Sequence, residues 1–165
     1  MTKMIFKKGI YLLLTFTVSF PLFGQTEKVD SLKKELIGSW DFVELRDNYN
    51  NKVDTIKNEY GFEIPKGPLL TYRADGTYSK QFTPANTDNG KWYFDIEKNA
   101  IIHFLYYEKP YSLAAKYLID HGHAKQDENG EYYEIITDKV VELTENKLIL
   151  LEREERQRKF KKLEK

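Results

Sequence analysis

The sequence predicts an all-β protein, an antiparallel meander closing around an aromatic interior. Three observations carry that expectation. The stretch Leu69–Phe82 places large apolar residues at alternate positions on both sides of Asp75-Gly76. Such period-two alternation marks half-buried strands, and Asp-Gly supplies the positive backbone angles of a tight hairpin turn. Similar short apolar runs recur to Leu151, separated by turn residues rather than by long helical patterns. The chain also has 12 tyrosines and 10 phenylalanines but no cysteine, so burial of rings must stabilise it without disulfides.

Residues 1–24 read as a secretory signal peptide. Lys3, Lys7 and Lys8 precede an apolar run, Ile10–Phe20, which Pro21 ends, and Gly24 offers a small residue before a cleavage point. The run is shorter than the about 20 apolar residues of a spanning helix. The expected organisation is a leader over 1–24, one barrel domain over 25–152, and a solvated, charged C-terminal tail over 153–165. The full chain balances 26 basic against 26 acidic residues, and loss of three leader lysines leaves a net charge of −3. A mildly acidic domain has no general attraction for nucleic acid or anionic lipid. With no cysteine to carry a lipid, the mature protein is expected to be free in the periplasm or secreted, without an integral membrane anchor.

Taken in order, Asp30–Gly38 predicts a short helix, capped by Asp30 and stopped by Gly38. Ser39–Leu45 predicts a strand with Trp40 and Phe42 on one face. Lys52–Ile56 reads as a brief edge strand. Tyr60–Pro68 is a proline-bearing loop. The Leu69–Phe82 hairpin comes next, and Asn89-Gly90 leads into a strand at Lys91–Asp95. Asn99–Tyr107 is apolar on both faces, the pattern of a strand covered on both sides. A helix over Ser112–Asp120, capped by Ser112, is its expected cover. Glu131–Thr137, Lys139–Thr144 and Lys147–Leu151 read as three closing strands, with hairpin points at Thr137-Asp138 and Glu145-Asn146.

Gly38-Ser39-Trp40, Asp75-Gly76-Thr77-Tyr78, Gly90-Lys91-Trp92, Tyr133-Glu134-Ile135 and Leu143–Leu148 occur in an order that resembles the small exported lipocalin-like domains of Bacteroidetes-type bacteria. The resemblance spans about Leu36 to Glu152. It implies an up-and-down β-barrel of about eight to ten strands with a short N-terminal helix at one end. It also implies a structural motif of Gly38, Trp40 and an arginine packed over the tryptophan, with Arg153 best placed and Arg156 as the alternative. The helix near 112–123 departs from the simplest pattern and reads as a lid or an insertion.

By alternation, Tyr72, Tyr78, Phe82, Trp92, Phe94, Phe104, Tyr106, Tyr133 and Ile135 are expected to face inward. They either line a pocket or fill a core. The functional expectation is an exported binding protein for a small hydrophobic ligand, requiring no cofactor. The alternative is a ligand-free barrel that serves as a protein-interaction module, with a patch near Tyr107, Pro110 and Tyr111. Catalysis is not expected, because no nucleophile elbow or phosphate-cradling loop occurs. His121 and His123, near Asp120, Asp127 and Glu128, read as a helix end rather than a metal site. His103 reads as a hydrogen-bonded sheet histidine.

Overall fold

The structure is a computed structural model that describes residues 23–152 and 156–164, with side chains from Asp30 onward. The expected leader and Arg153 therefore lie outside the described residues, apart from Phe23 and Gly24. Helix α1 spans Phe23–Leu36 and is followed by β1, Gly38–Arg46. A small hairpin, β2 (Ile56–Asn58) and β3 (Gly61–Glu63), sits apart as its own two-stranded sheet. The main sheet continues with β4 (Leu69–Tyr72), β5 (Thr77–Thr83), β6 (Asn86–Asp95) and β7 (Ala100–Tyr106). Helix α2 (Leu113–Asp120) and the short β8 (Lys125–Gln126) come before β9 (Tyr132–Leu143), β10 (Lys147–Leu151) and β11 (Gln157–Lys162).

Neighbours run β10-β11-β1-β4-β5-β6-β7-β9, and β9 pairs back with β10, so eight antiparallel strands close into a barrel while β8 only flanks β9. Closure pairs each of these eight strands on both sides over part of its length, which limits the edges open to another chain; Glu134–Asp138 of β9 lie beyond the pairing with β10 and are paired to β7 alone.

The packed core fills the end at which β1 begins. Leu36 of α1 joins Trp40, Leu70, Tyr72, Tyr78, Trp92, Phe94, Ile101, Val140, Leu148, Leu150 and Phe160 in one buried cluster. The Trp40 indole N–H donates to the Leu36 carbonyl at 2.7 Å, tying the end of α1 into the barrel mouth. That bond satisfies both a buried donor and a carbonyl of the last helical turn, which has no intrahelical partner.

Several sequence expectations change in the structure. Asp30 lies inside α1 rather than capping it, because the helix already begins at Phe23. The edge strand expected over 52–56 is instead the β2–β3 hairpin at 56–63, whose second strand takes up part of the expected 60–68 loop. Residues 157–162 are not a solvated tail: β11 pairs with both β1 and β10 and closes the barrel, with Phe160 buried at 1 % exposure. Two of its three inward-facing residues, Arg158 and Lys162 beside Phe160, are themselves charged, so the run reads as pure surface when only composition is weighed. No hairpin occurs at Thr137-Asp138. β9 is one continuous strand, and Asp138 pairs with Ile101 in mid-sheet. Asn89-Gly90 is likewise inside β6, the β5–β6 turn falling at Pro84-Ala85. Gly90 is there for space, because a Cβ would stand 2.0 Å from the Phe104 carbonyl oxygen and 2.8 Å from the Tyr78 ring. Finally, α2 is capped by Ser112 as expected, its hydroxyl accepting from the Ala115 amide at 3.1 Å. It buries only Ala115, however, and leaves Leu113 and Tyr117 at 86 % and 58 % exposure, so it is not the cover of β7.

The Asp75-Gly76 turn forms as expected. Gly76 has φ of +82°, and the Asp75 carboxylate accepts from the Thr77 amide and hydroxyl.

Candidate ligand-binding site

Strand alternation sorts the eight rings expected to line a pocket into three groups. Tyr72, Tyr78, Trp92 and Phe94 do face inward, at 1–7 % exposure, but they pack on one another and on His103. Tyr72 meets Trp92 edge-on at 5.2 Å and Tyr78 lies 4.6 Å from His103. Phe82 stands at the far end of β5, 45 % exposed, with the Lys80 ammonium 5.3 Å from its ring centre. Phe104, Tyr106 and Tyr133 face outward, as does Ile135, against the inward expectation. Trp92 pairs with His103 across the sheet, so their inward direction puts Phe104, the next residue, on the other face, together with its partners Lys91 and Ile135. There the rings form an outer band, Tyr93–Phe104–Tyr133–Tyr106, with centroids 5.4–5.8 Å apart. The reason for the error is that β7 is apolar on both faces, so hydrophobicity alone does not choose its inner side.

Among the described residues, the cation over Trp40 is a lysine. β11 runs antiparallel to β1, so Trp40 stands opposite Lys162, near the end of β11. The Lys162 ammonium lies 5.0 Å from the Trp40 ring centre and donates to the Glu35 carbonyl. Arg156 precedes Gln157, which pairs with Arg46. That is six residues along β1 from Trp40, or roughly 20 Å.

Above the ring-filled end the barrel is open. A cavity of about 790 Å³ is lined by Lys80 on one wall, by the five consecutive residues Glu134, Ile135, Ile136, Thr137 and Asp138 of β9, and by Leu150, Leu151, Glu152, Arg156 and Arg158 opposite. Its floor is a buried polar chain. The Tyr72 hydroxyl is 3.0 Å from His103 Nε2, and His103 Nδ1 is 3.3 Å from the Asp138 carboxylate. Burial pushes the His103 imidazole down to about 3, with the Lys80 charge adding to the effect. The ring is therefore neutral. One tautomer satisfies every group: Nδ1–H donates to Asp138, and Nε2 accepts from the Tyr72 O–H. Desolvation raises the Asp138 pKa from its ordinary value, against the pull of Lys80 and Arg158. At the rim, Arg158 donates to the Glu152 carboxylate at 2.5 Å.

These charged residues were not singled out from sequence. Their signal is present in β9, where Glu134, Ile136, Asp138 and Val140 share a face. Assigning a turn to Thr137-Asp138 broke that register, and acidic residues on alternate positions read as a solvent side. His103 is a hydrogen-bonded sheet histidine, as expected. His121 stacks on Tyr117 at 4.0 Å with Nδ1 2.8 Å from the Tyr117 carbonyl, an end-of-helix placement.

The closed up-and-down meander, a helix docked at one end, Gly38-x-Trp40 opening the first strand and a cavity at the other end together define a lipocalin-like β-barrel. No family model matches the chain, and no curated protein matches it in sequence. Among solved structures, it is similar to a lipocalin-like protein from Bacteroides uniformis, with 17 % identity and a TM-score of 0.45, over 78 % of this chain and 99 % of the other. An uncharacterized protein from Bacteroides eggerthii is similar at 17 % identity and a TM-score of 0.44, with the same coverage. A DUF4847 family protein from Bacteroides vulgatus follows at 15 % identity and a TM-score of 0.37, over 79 % of this chain and 95 % of that one. Among the described residues, no helix is long and apolar enough to cross a membrane.

Proposed function

We propose that this chain is an exported binding protein that holds one small molecule in the open half of its barrel. The observation that carries the reading is the cavity of about 790 Å³ bounded by β5, β9, β10, β11 and the connection between the last two. That size lies within the about 300–1,000 Å³ typical of small-molecule sites. The lining favours a ligand with polar groups over a wholly apolar one. The rings that would have received an apolar ligand are spent on each other, while Lys80, Glu134, Asp138, Glu152 and Arg158 reach the cavity. The floor supports binding over catalysis. Tyr72 and His103 are buried beneath Asp138, and their hydrogen bonds are directed at one another.

A thermal-shift screen of small polar and amphiphilic compounds tests the reading, with Ile136→Trp as a variant that fills the cavity from β9. Compounds that stabilise the parent protein should lose their effect on the variant. Finding no stabilising compound, or equal effects on both proteins, would count against the lumen as the site. Export is tested separately, by fractionating expressing cells and determining the N-terminal residue of the mature protein.

A second reading rests on the outer band of Tyr93, Phe104, Tyr106 and Tyr133, which gives the barrel wall an aromatic face suited to a protein partner. Paired Tyr93→Ser and Tyr133→Ser substitutions should then abolish capture of that partner while leaving the lumen compounds bound.

A further inference from the structure

Building on the lumen reading, we infer that the ligand is an uncharged polyhydroxylated molecule, a mono- or disaccharide in chemical class. The argument starts from the signs of the lining. Lys80, Arg156 and Arg158 stand against Glu134, Asp138 and Glu152, so the cavity carries no net charge with the acids ionised. Two of the acids already have partners of their own, Arg158 on Glu152 and the His103 N–H on Asp138. A ligand with a net charge would meet three like charges at close quarters without a surplus of opposite ones. A wholly apolar ligand would strip water from six ionisable groups and return nothing to them, which is costly.

A hydroxyl group avoids both penalties. Ammonium and guanidinium groups only donate, ionised carboxylates only accept, and a hydroxyl does both. A ring of hydroxyls can thus present an acceptor to Lys80 and a donor to Asp138 without changing the charge of either. Asp138 is the best-prepared contact. His103, itself held by Tyr72, fixes one side of its carboxylate from below, so little rotamer freedom is left to lose on binding. Of the four aliphatic residues in the same lining, Ile136 and Leu150 lie on the inner face with Asp138 and Arg158 and offer surfaces for the C–H faces of a pyranose ring. The volume of about 790 Å³ is ample for one or two such rings.

The test is titration calorimetry of the full chain against a panel of neutral mono- and disaccharides, with dodecanol and succinate as apolar and anionic probes. At least one neutral sugar should bind, and Ile136→Trp should abolish that binding. Asp138→Asn and Lys80→Met should each weaken it about tenfold or more, as expected for loss of a hydrogen bond to a charged group. Circular dichroism of each variant separates lost binding from lost fold, and Asp138→Glu provides a variant that keeps the charge. Binding of dodecanol or succinate in the lumen with no sugar bound would overturn the sugar assignment and leave the lumen reading standing. Sugar binding that survives Ile136→Trp would overturn the assignment by placing the site elsewhere. No binding by any probe would overturn both.

Discussion

Replacing Tyr72 with Phe tests the buried floor of the cavity. The substitution keeps the ring that packs on Trp92 and Tyr78 and removes one oxygen, 3.0 Å from His103 Nε2. Tyr72 and His103 are 1 % and 4 % exposed, so water does not replace the lost donor. Nor does a switch of tautomer help, since Nδ1–H is needed by Asp138 at 3.3 Å. A buried acceptor left without a donor costs about 1–3 kcal/mol. Taking about 2 kcal/mol, and about 4 °C per kcal/mol for a domain of this size, the melting temperature should fall on the order of 8 °C. Urea unfolding monitored by tryptophan fluorescence gives the free energy, and a cycle with His103→Phe isolates the pair. The coupling energy should be about 1 kcal/mol or more. A loss below about 0.5 kcal/mol, the level of an ordinary surface change, would show that this hydrogen bond is not a buried, water-free one.

Acid stability should carry the signature of the same residues. The His103 pKa falls from the usual 6.5 to about 3 in the folded chain, so the unfolded chain takes up a proton first as pH falls. Stability from this group is complete above about pH 6.5 and declines toward pH 3. Asp138, whose folded pKa is raised, acts in the opposite sense: its contribution is full below the unfolded value of 3.8 and disappears as pH rises through the folded one. Urea midpoints across this range should therefore fall less steeply for His103→Gln than for the parent, and parallel curves would refute the assignment. Gly90→Ala should cost about 3 kcal/mol or more, because its Cβ meets backbone 2.0 Å away and β6 and β7 must part; thermal denaturation measures it. Truncation after Arg156 should abolish cooperative unfolding in circular dichroism, since it removes β11 from between β1 and β10; a native-like melt would restore the view of this segment as a tail. Lys162→Met should destabilise by about 1–2 kcal/mol through loss of the ammonium over Trp40 and at the Glu35 carbonyl, and Lys162→Arg should retain part of it by urea denaturation.

Local chemistry made much of the architecture readable. Alternation in Leu69–Phe82, the Asp75-Gly76 turn, the Ser112 cap and the Gly38-x-Trp40 opening each depend on residues a few positions apart, and each forms as the sequence implies. Where a stretch answered to partners far along the chain, the pattern was silent or pointed the wrong way. Gly90 is glycine because Phe104 and Tyr78 crowd it. Asp138 is tolerated inside the barrel because His103, 35 positions earlier in the sequence, donates to it. Residues 157–162 became a strand only because β1 and β10 lay open on either side.

The sequence by itself determined that alternating strands would roll up around rings, since period-two hydrophobicity and turn residues are properties of short segments. Only the tertiary structure decided which rings went inside and that charged side chains line the remaining space. A strand's two faces become different when a closed sheet gives one of them a lumen, and no segment carries that distinction alone.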